Sequence, residues 1–441
     1  MRRLGGAARW WLDQSLRALD RDLRGRGASL TLQRGRATAI VPELAAECGA
    51  ASVCWNRRYD QAGVAADAAV AEDLAARAIA SESFPGTLLF EPGAVKTAAG
   101  LPFAVFTPFW RRARQLGEPR PPLRAPERID GARAIPSETL GDWKLAPTAP
   151  DWAGGLRATW IPGEAGGRAR AQAFLDTALA GYATLRDRPD RAGTSRLSAH
   201  LRFGEVSACQ LWHAAHAARD ARRDAQIAPG DVEKFLSELG WREFAYHLLH
   251  HHPDLATRNF QRRFDGFPWA SVGSELRAWQ DGRTGYPIVD AGMRELWTTG
   301  WMHNRVRMIA ASFLVKHLLL DWRLGESWFW DTLVDADPAN NPAGWQWVAG
   351  SGADAAPYFR IFSPVLQGEK FDPAGAYVRR WVPELARLPA EFIHAPWRAS
   401  DRALAAAGIT LGDSYPRPIV DHQAARVRAL ASLASLKTGK A

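Results

Sequence analysis

The sequence predicts an α/β domain, built on a parallel sheet, followed by a large all-α domain. Helix and strand signals alternate over residues 1–110, which is typical of a parallel sheet with crossover helices. Residues 111–166 are rich in Pro and Gly and indicate an interdomain linker. Over residues 167–441, apolar residues recur at helical spacing and strand-like alternation is scarce.

The first domain alternates three predicted helices with three predicted strands. The helices are expected at 7–24, 41–48 and 65–80, and the strands at 29–33, 52–55 and 87–90. A doubly wound domain normally opens with a buried central strand, whereas this chain opens directly with a helix. We therefore expect the first strands of the sheet, a leading strand–helix–strand, to be missing; a smaller, rearranged sheet is the alternative.

The second domain is predicted from helical spacing of apolar residues. Phe235, Leu239 and Leu248 exemplify the pattern, and Gly and Pro mark the loop at 281–287. After Tyr415 the sequence predicts one short basic helix. No internal repeat interrupts this organisation.

Composition suits a soluble protein with a polyanionic partner. Lys and Arg number 56 against 47 Asp and Glu, a formal net charge of +9 that favours nucleic acid; an Arg-rich proteome is the other explanation. Cys48, Cys54 and Cys209 form no C-x-x-C pair, which disfavours a disulfide framework or a metal site and favours the cytoplasm. No apolar run is long enough for a membrane span.

Small hydroxyl residues precede a predicted helix at 193–198. Thr194, Ser195 and Ser198 could offer hydroxyl groups, and the helix start free N–H groups, to a phosphate. An ordinary helix N-cap explains the same residues.

A second segment places three different polar or aromatic groups on one helix face. Glu238, Trp241 and Arg242 lie three and four residues apart, so they point the same way and could line a pocket for a flat polar ring. A surface Glu238–Arg242 pair with Trp241 in the core is the alternative.

The segment 300–308 mixes polar and bulky residues where a core helix would be apolar. Asn304 and Met308 share one helix face, as do His303 and Arg307. The segment therefore fits either a binding surface or an ordinary helix with a polar edge.

The segment 335–347 combines acidic residues with tryptophans. Asp337 before a proline could cap a helix, and Asp335 could pair with a distant Arg. Trp345 and Trp347 are two residues apart, so on a helix they face nearly opposite ways and could border two neighbouring sites.

Together these segments resemble the photolyase/cryptochrome family, and specifically its class I cyclobutane pyrimidine dimer DNA photolyases. The resemblance covers nearly the whole chain and is strongest from Tyr182 to Trp381. It implies an N-terminal α/β antenna domain, a helical domain that binds FAD and DNA, and a carbon–carbon lyase. The motifs that carry it are Trp345-Gln346-Trp347, Asp335-x-Asp337, Met302-His303-Asn304-Arg305 and Thr194 to Ser198.

The resemblance implies a bent FAD that is active when reduced. Arg307 and Asp335 would form an ion pair beside the isoalloxazine, and Asn341 would approach N5. An uncharged amide there does not penalise the anionic reduced flavin, whereas plant-type photoreceptors carry Asp. The residues implied to bind the cofactor are Tyr182, Thr194, Ser195, Arg196, Leu197, Ser198, Arg307, Asp335, Ala336, Asp337 and Asn341.

DNA containing pyrimidine dimers is the implied partner, with the dimer flipped out of the duplex as photolyases do. Trp241 and Trp347 would wall the dimer, and Glu238 would hydrogen-bond its carbonyl groups and act in catalysis together with Asn341. The implied DNA-side residues are Arg186, Glu238, Trp241, Arg242, Asn304, Met308, Trp347 and Arg360.

Three indoles match the family's electron-hopping chain, with Trp345 nearest the flavin, then Trp322, then Trp269 at the surface. Light would draw an electron along this chain to give FADH⁻. Excited FADH⁻ would then lend an electron to the dimer, which splits and returns it.

The chain departs from the family pattern at the antenna. Residues 60–63 lack the Asn-Glu pair of folate-binding members, and Ala256 and Thr257 stand where those members have Cys-Lys. A second antenna chromophore is therefore left open, and a monomer is expected. The alternatives are a cryptochrome-type signalling flavoprotein, a (6-4) photolyase, and a flavin-free nucleic-acid-binding remnant.

Overall fold

The structure is a computed structural model that describes residues 2–131, 135–221, 227–355 and 359–436. The chain divides into two compact units. The first contains Met1–Ala180 and Ser195–Pro253, and the second contains Gly181–Thr194 and Asp254–Ala441.

Helices make up most of both units. In chain order, the α-helices of the described ranges are α1 (Gly6–Arg24), α2 (Ala37–Glu47), α3 (Gln61–Ala76), α4 (Phe106–Arg114), α5 (Gly154–Thr159), α6 (Glu164–Thr177), α7 (Tyr182–Leu185), α8 (Ser198–Arg202), α9 (Ala208–Ala221), α10 (Pro229–His251), α11 (Ser274–Gln280), α12 (Pro287–Thr299), α13 (Asn304–Ser312), α14 (Trp322–Thr332), α15 (Asn340–Ala349), α16 (Pro364–Phe371), α17 (Ala376–Trp381), α18 (Asp401–Ala407) and α19 (His422–Ala434). A π-helical turn, Phe313–His317, follows α13.

The sheet of the first unit is smaller than the sequence predicts. Two parallel strands, β1 (Ser52–Asn56) and β2 (Ala80–Phe84), pair with Ser52 opposite Ala80. The expected strand at 52–55 is therefore confirmed, whereas the predicted helix at 65–80 ends four residues early and gives way to β2. Ala, Ser and Glu dominate β2, a composition with low strand propensity, so no strand signal was visible there.

The predicted strand at 29–33 is wrong. This segment has no regular secondary structure and joins no sheet in the described residues. Its backbone instead meets the predicted linker, because Glu138 N donates to Leu32 O at 2.7 Å and Leu32 N donates to Ser137 Oγ at 2.9 Å.

The predicted strand at 87–90 is also wrong. The backbone N–H groups of Leu89 and Phe90 donate to Oε2 of Glu243 on α10, at 2.8 and 3.2 Å. Leu88 and Leu89 are buried by this packing. The apolar run thus reflects contact with a helix rather than a place in a sheet.

The second unit has a large apolar core formed by α11 to α18 and the π-helical turn. Trp279, Trp322 and Trp345 lie inside it, and the short α19 near the chain end matches the predicted basic helix. The fold class, a small parallel α/β part followed by a mostly helical part, is confirmed. Within the described ranges, no helix has both the length and the apolar character needed to cross a membrane.

Candidate active site

Arg307 and Asp335 form the ion pair expected from the sequence. Arg307 Nη2 lies 2.8 Å from Asp335 Oδ2, and Arg307 Nε donates to Met302 O at 2.7 Å. The Asp335 side chain is only 3% exposed. Its second oxygen, Oδ1, is buried and accepts no hydrogen bond from the described residues. Because an unsatisfied buried acceptor is unfavourable, this oxygen fits an N–H donor of a ligand.

The Asn341 side chain is held in one orientation at the start of α15. Its Nδ2 donates to the carbonyl O of Glu326 at 3.0 Å and to Oε1 of Glu326 at 2.8 Å. Both partners are acceptors, so they identify the nitrogen end of the amide. The carbonyl oxygen of Asn341 is therefore the end that points away from Glu326.

Ala336 and Asp337, which follow Asp335 in the sequence, are also buried. Oδ1 of Asp337 accepts from Ala339 N at 2.9 Å and from Asn340 N at 2.7 Å, so the carboxylate does bind backbone at the start of α15. The predicted cap is nevertheless wrong, because α15 begins at Asn340 with Ala339 as the N-cap residue, and Asp337 instead binds the turn that precedes the helix.

The hydroxyl segment does not form an ordinary cap. The helix α8 begins at Ser198 with Leu197 at the N-cap and no side-chain capping bond in the described structure. Arg196 adopts a left-handed backbone with φ 52°, and its guanidinium lies 5.0 Å from the Trp160 ring. The alternative of a simple N-cap is therefore wrong for Thr194 and Ser195.

Tyr182 and Arg186 lie together in the second unit. Tyr182 is buried at the first residue of α7, and the Arg186 guanidinium is 6.0 Å from its ring. Arg186 follows Leu185, the last residue of this helix, so it can reach past the end of α7.

His303 organises the start of α13. Its Nδ1 accepts from Arg305 N at 3.2 Å, and burial lowers its pKa to about 4, an effect that the Asp187 carboxylate opposes and that nearby arginines reinforce. The imidazole is therefore neutral and carries its proton on Nε2. This cap positions Asn304, which is exposed, and Met308, which packs against the apolar core.

A polar cleft of about 420 Å³ lies in the second unit. Arg305 pairs with Asp187 at 2.7 Å, and its guanidinium lies 4.5 Å from the Phe371 ring. Basic residues outnumber the single acidic one, so the cleft fits a phosphate group. Its lining residues are Thr184, Asp187, Arg188, Arg305, Phe362, Gln367, Lys370 and Phe371.

Sequence reasoning did not single out this cleft. Arg305 stood inside a recognised motif, but Lys370 and Arg188 lie far from it in sequence. Arg360, predicted to contact DNA, is exposed, and its carbonyl accepts from the buried Lys316 Nζ at 3.1 Å.

The three tryptophans of the predicted hopping chain belong to the same unit. Trp345 and Trp322 are buried in the main core, and the half-buried Trp269 packs against it. Trp345 lies against α14, where a Cβ at Gly325 would come 2.1 Å from its ring. Trp322 is the first residue of α14, so this one helix both contains Trp322 and packs against Trp345. Trp347, two residues after Trp345, is half-buried against the same core.

In the first unit, α10 carries Glu238, Trp241 and Arg242. Glu238 Oε1 lies 3.1 Å from Lys234 Nζ, and the Trp241 ring stacks on Phe106 with centroids 3.8 Å apart. Arg242 donates to Thr87 O at 2.9 Å and is 10% exposed. This anchoring favours a shaping role for Arg242 over phosphate contact, and the Glu238–Arg242 surface pair is not formed.

Comparison with known proteins agrees with this architecture. Residues 235–435 match the family described as the FAD binding domain of DNA photolyase, and residues 1–127 match the DNA photolyase family. The chain is 52% identical over 98% of its length to a deoxyribodipyrimidine photo-lyase of Agrobacterium fabrum, covering 90% of that protein. It is 39% identical over 96% of its length to Cryptochrome-1 of Arabidopsis thaliana, covering 63% of it.

A solved structure is also similar. A bacterial class III photolyase from Agrobacterium tumefaciens superposes with a TM-score of 0.94 at 51% identity, covering 98% of this chain and 89% of the other. The fold and the matched helical part define a protein with an FAD-binding domain. The chain belongs to the photolyase and cryptochrome family.

These findings confirm the expected family and the expected enzyme class, a photolyase, and they support FAD as the cofactor. The narrower class I assignment goes beyond these findings, because a solved structure with 51% identity to this chain is a class III enzyme.

Proposed function

We propose that this protein repairs cyclobutane pyrimidine dimers in DNA in a light-dependent reaction, as a photolyase of class III. The observation that carries the proposal is the buried Arg307–Asp335 pair with one carboxylate oxygen left to accept from a ligand. The 51% identity to a class III photolyase supports the class.

The residues of the second unit fit an FAD. Asp335 Oδ1 would accept the imide N–H of the isoalloxazine, and the carbonyl oxygen of Asn341 would accept from N5 of the reduced ring. Asp337 and Ala336 would shape the wall behind the ring, and Tyr182 would pack against the cofactor. When bound and reduced, FAD supplies light absorption and an electron for the dimer.

The segment 194–198 would hold the cofactor's phosphates and ribityl chain. Leu197 is buried and anchors the segment, while Thr194, Ser195 and Arg196 are half-buried. Hydroxyl groups and a guanidinium are suitable donors to phosphate oxygens. Ser198 is exposed at the start of α8 and would contribute through its backbone N–H.

We further propose how the chain recognises the lesion. In the second unit, Trp347 would stack on a pyrimidine of the dimer, worth roughly 1–3 kcal/mol, and Asn304 and Met308 would contact the dimer. Glu238 and Trp241 of the first unit stay predicted dimer-binding residues. The cleft with Arg305 and Lys370 would hold strand phosphates, assisted by Arg186 and Arg360.

Trp345, Trp322 and Trp269 would relay an electron to the cofactor when it has become oxidised. Their proposed order follows the family resemblance, and burial supports Trp269 as the outermost indole, since it is half-buried whereas Trp345 and Trp322 are buried. The monomeric state, the cytoplasmic location and any second antenna chromophore stay predictions.

The test is repair of an oligonucleotide that contains one cyclobutane thymine dimer, under blue light and in darkness. The FAD-loaded, chemically reduced protein should remove dimers only in light. Arg305→Ala should weaken binding of damaged and undamaged strands alike, because a phosphate contact carries no lesion information. Arg157→Ala, a surface pair with Asp151, is the matched control. Absence of light-dependent repair by the loaded wild type would refute the proposal.

A cryptochrome-type signalling function is the second candidate, because 39% identity to Cryptochrome-1 extends over nearly the whole chain. Asn341 argues against it, since plant-type photoreceptors would carry Asp there. Flavin photoreduction without preference for dimer-containing DNA would favour signalling. Repair of a (6-4) photoproduct instead of the cyclobutane dimer would redirect the substrate assignment.

A further inference from the structure

The middle tryptophan of the proposed relay has a defined hydrogen-bond partner. Trp322 is fully buried, and its Nε1 donates to Oδ1 of Asn259 at 2.9 Å. Asn259 is also buried, at 1% exposure. The single N–H of this indole therefore ends on a neutral amide oxygen, away from water.

The Asn259 amide cannot easily turn over. Its Nδ2 donates to Oδ1 of Asp265 at 2.8 Å, so the oxygen is the end that faces Trp322. The Asp265 carboxylate also polarises the amide and makes its oxygen a stronger acceptor. A positive charge on the indole would thus be stabilised through the amide without any base in contact with its proton.

The backbone around Asn259 is secured by Gln346, which lies between Trp345 and Trp347 in sequence. Gln346 is fully buried. Its Oε1 accepts from Phe260 N at 2.7 Å, and its Nε2 donates to Arg258 O at 2.9 Å. The helix that carries Trp345 therefore also fixes the residue that meets Trp322.

An arginine–aspartate ion pair lies beside Trp322. The Arg323 guanidinium lies 4.7 Å from the Trp322 ring centroid and pairs with Asp321 at 3.0 Å. Asp265 is linked to the indole through the Asn259 amide. Among the hydrogen bonds described, no carboxylate or imidazole accepts from Trp322 Nε1.

We propose that Asn259 is a positioning residue of the photoreduction relay that keeps the Nε1 proton on Trp322 while Trp322 is oxidised. The inference rests on the hopping role proposed above, with photo-excited oxidised flavin as the oxidant. One electron passes from Trp322 to oxidised Trp345 and leaves an indole radical cation. An oxidised indole is acidic at its N–H. A base at position 259 would therefore take the proton and leave a neutral radical at Trp322. The amide accepts the hydrogen bond but not the proton, so an electron from Trp269 restores Trp322.

Proton loss is then confined to the end of the relay. Trp269 is half-buried, and once oxidised it can release its proton to solvent. Loss of that proton makes the transfer hard to reverse, which favours net reduction of the cofactor. Proton release at Trp269 and proton retention at Trp322 therefore act together to favour net reduction.

The first experiment leaves Asn259 intact. In FAD-loaded Trp269→Phe protein, a flash should create a Trp322 radical that cannot pass its charge outward. Transient absorption should record the radical-cation spectrum, which decays by recombination. Appearance of the neutral tryptophan radical in this variant would overturn the inference, because the amide would then not have retained the proton.

Substitutions of Asn259 test the same point with Trp269 present. Asn259→Asp, measured at pH 9 so that the carboxylate is ionised, should produce neutral radical at Trp322 and lower the yield of photoreduction about tenfold. Asn259→Leu removes the acceptor and should also lower the yield, but without neutral radical at Trp322. Gln261→Leu is the matched control, since it breaks a 2.9 Å bond to Gly352 O in the same segment without touching Trp322.

Repair by chemically reduced enzyme separates this role from a structural one. It should be unchanged in Asn259→Asp and Asn259→Leu, because repair needs no relay. Photoreduction yields equal to wild type in both variants would overturn the inference. If wild-type protein binds FAD but cannot be photoreduced through tryptophan, the proposed relay fails instead, and with it the basis of this inference.

Discussion

The small sheet of the first unit and the helical core of the second are stabilised in different ways. The sheet's apolar cluster is built around Ala45, Val70 and Leu74, and Trp55 of β1 is only half-buried. The helical core surrounds fully buried tryptophans and several buried charged groups. Because apolar burial scales with area, the helical core can tolerate polar groups that the thin sheet could not. The residues proposed to hold the cofactor's isoalloxazine lie in the helical core.

The largest predicted difference concerns matched tryptophans in the two regions. Trp279→Ala should lower the free energy of unfolding by about 3–5 kcal/mol, because it empties a buried site and breaks the Nε1 bond to Ala310 O. Trp55→Ala in β1 should cost less than about 2 kcal/mol, since the side chain is half-exposed. Urea denaturation measures both. Equal losses would contradict the contrast between the regions.

A second pair of variants compares ion pairs. Arg307→Met should cost about 3 kcal/mol, because it leaves the buried Asp335 carboxylate uncompensated. Arg58→Met, which breaks the more exposed pair with Asp67, should cost at most about 1 kcal/mol. Denaturation of both proteins in the apo form gives the comparison, and a cost for Arg58 that matches that of Arg307 would argue against it.

The pH dependence of stability should have opposite signs in the two units. Burial raises the pKa of Glu243 to about 7, so its stabilising contribution is present below pH 4.5 and is lost as pH rises through 7. Burial lowers the pKa of Lys316 to about 7, so its contribution is present above pH 10.5 and is lost as pH falls through 7.

Single substitutions test the two pH ranges separately. Glu243→Gln should flatten the unfolding free energy between pH 4.5 and 7, and Lys316→Met should flatten it between pH 7 and 10.5. Leu318→Met, a conservative change beside the π-helical turn, serves as the control for Lys316. An unchanged slope in both variants would show that neither group titrates as described.

The sequence predicted local patterns better than contacts between distant segments. Helical spacing located α10 and α19, and the motif around Asp335 and Asn341 carried the family and the cofactor. Sequence analysis missed β2 because that strand is polar and largely exposed. It also predicted a strand at 87–90, where Leu88 and Leu89 are apolar because α10 buries them. Such burial by another element leaves no period-two pattern.

The cleft and the relay contact were beyond sequence reasoning for a similar reason. Arg305 meets Asp187 across 118 residues, and Trp322 meets Asn259 across 63. A lone Asn or Asp carries no pattern that identifies its partner. Only the packing of the helices brings these side chains together.

The central claim is tested most directly by titrating the apoprotein with FAD and comparing wild type with Asp335→Asn. Asp254→Asn, which changes a surface carboxylate paired with Arg262, is the control. Wild type and the control should bind one FAD with the same affinity, and Asp335→Asn should bind at least about tenfold more weakly, because it loses a charge-assisted acceptor and the partner of Arg307. Equal affinity in all three proteins, or no FAD binding by wild type, would contradict the proposed site.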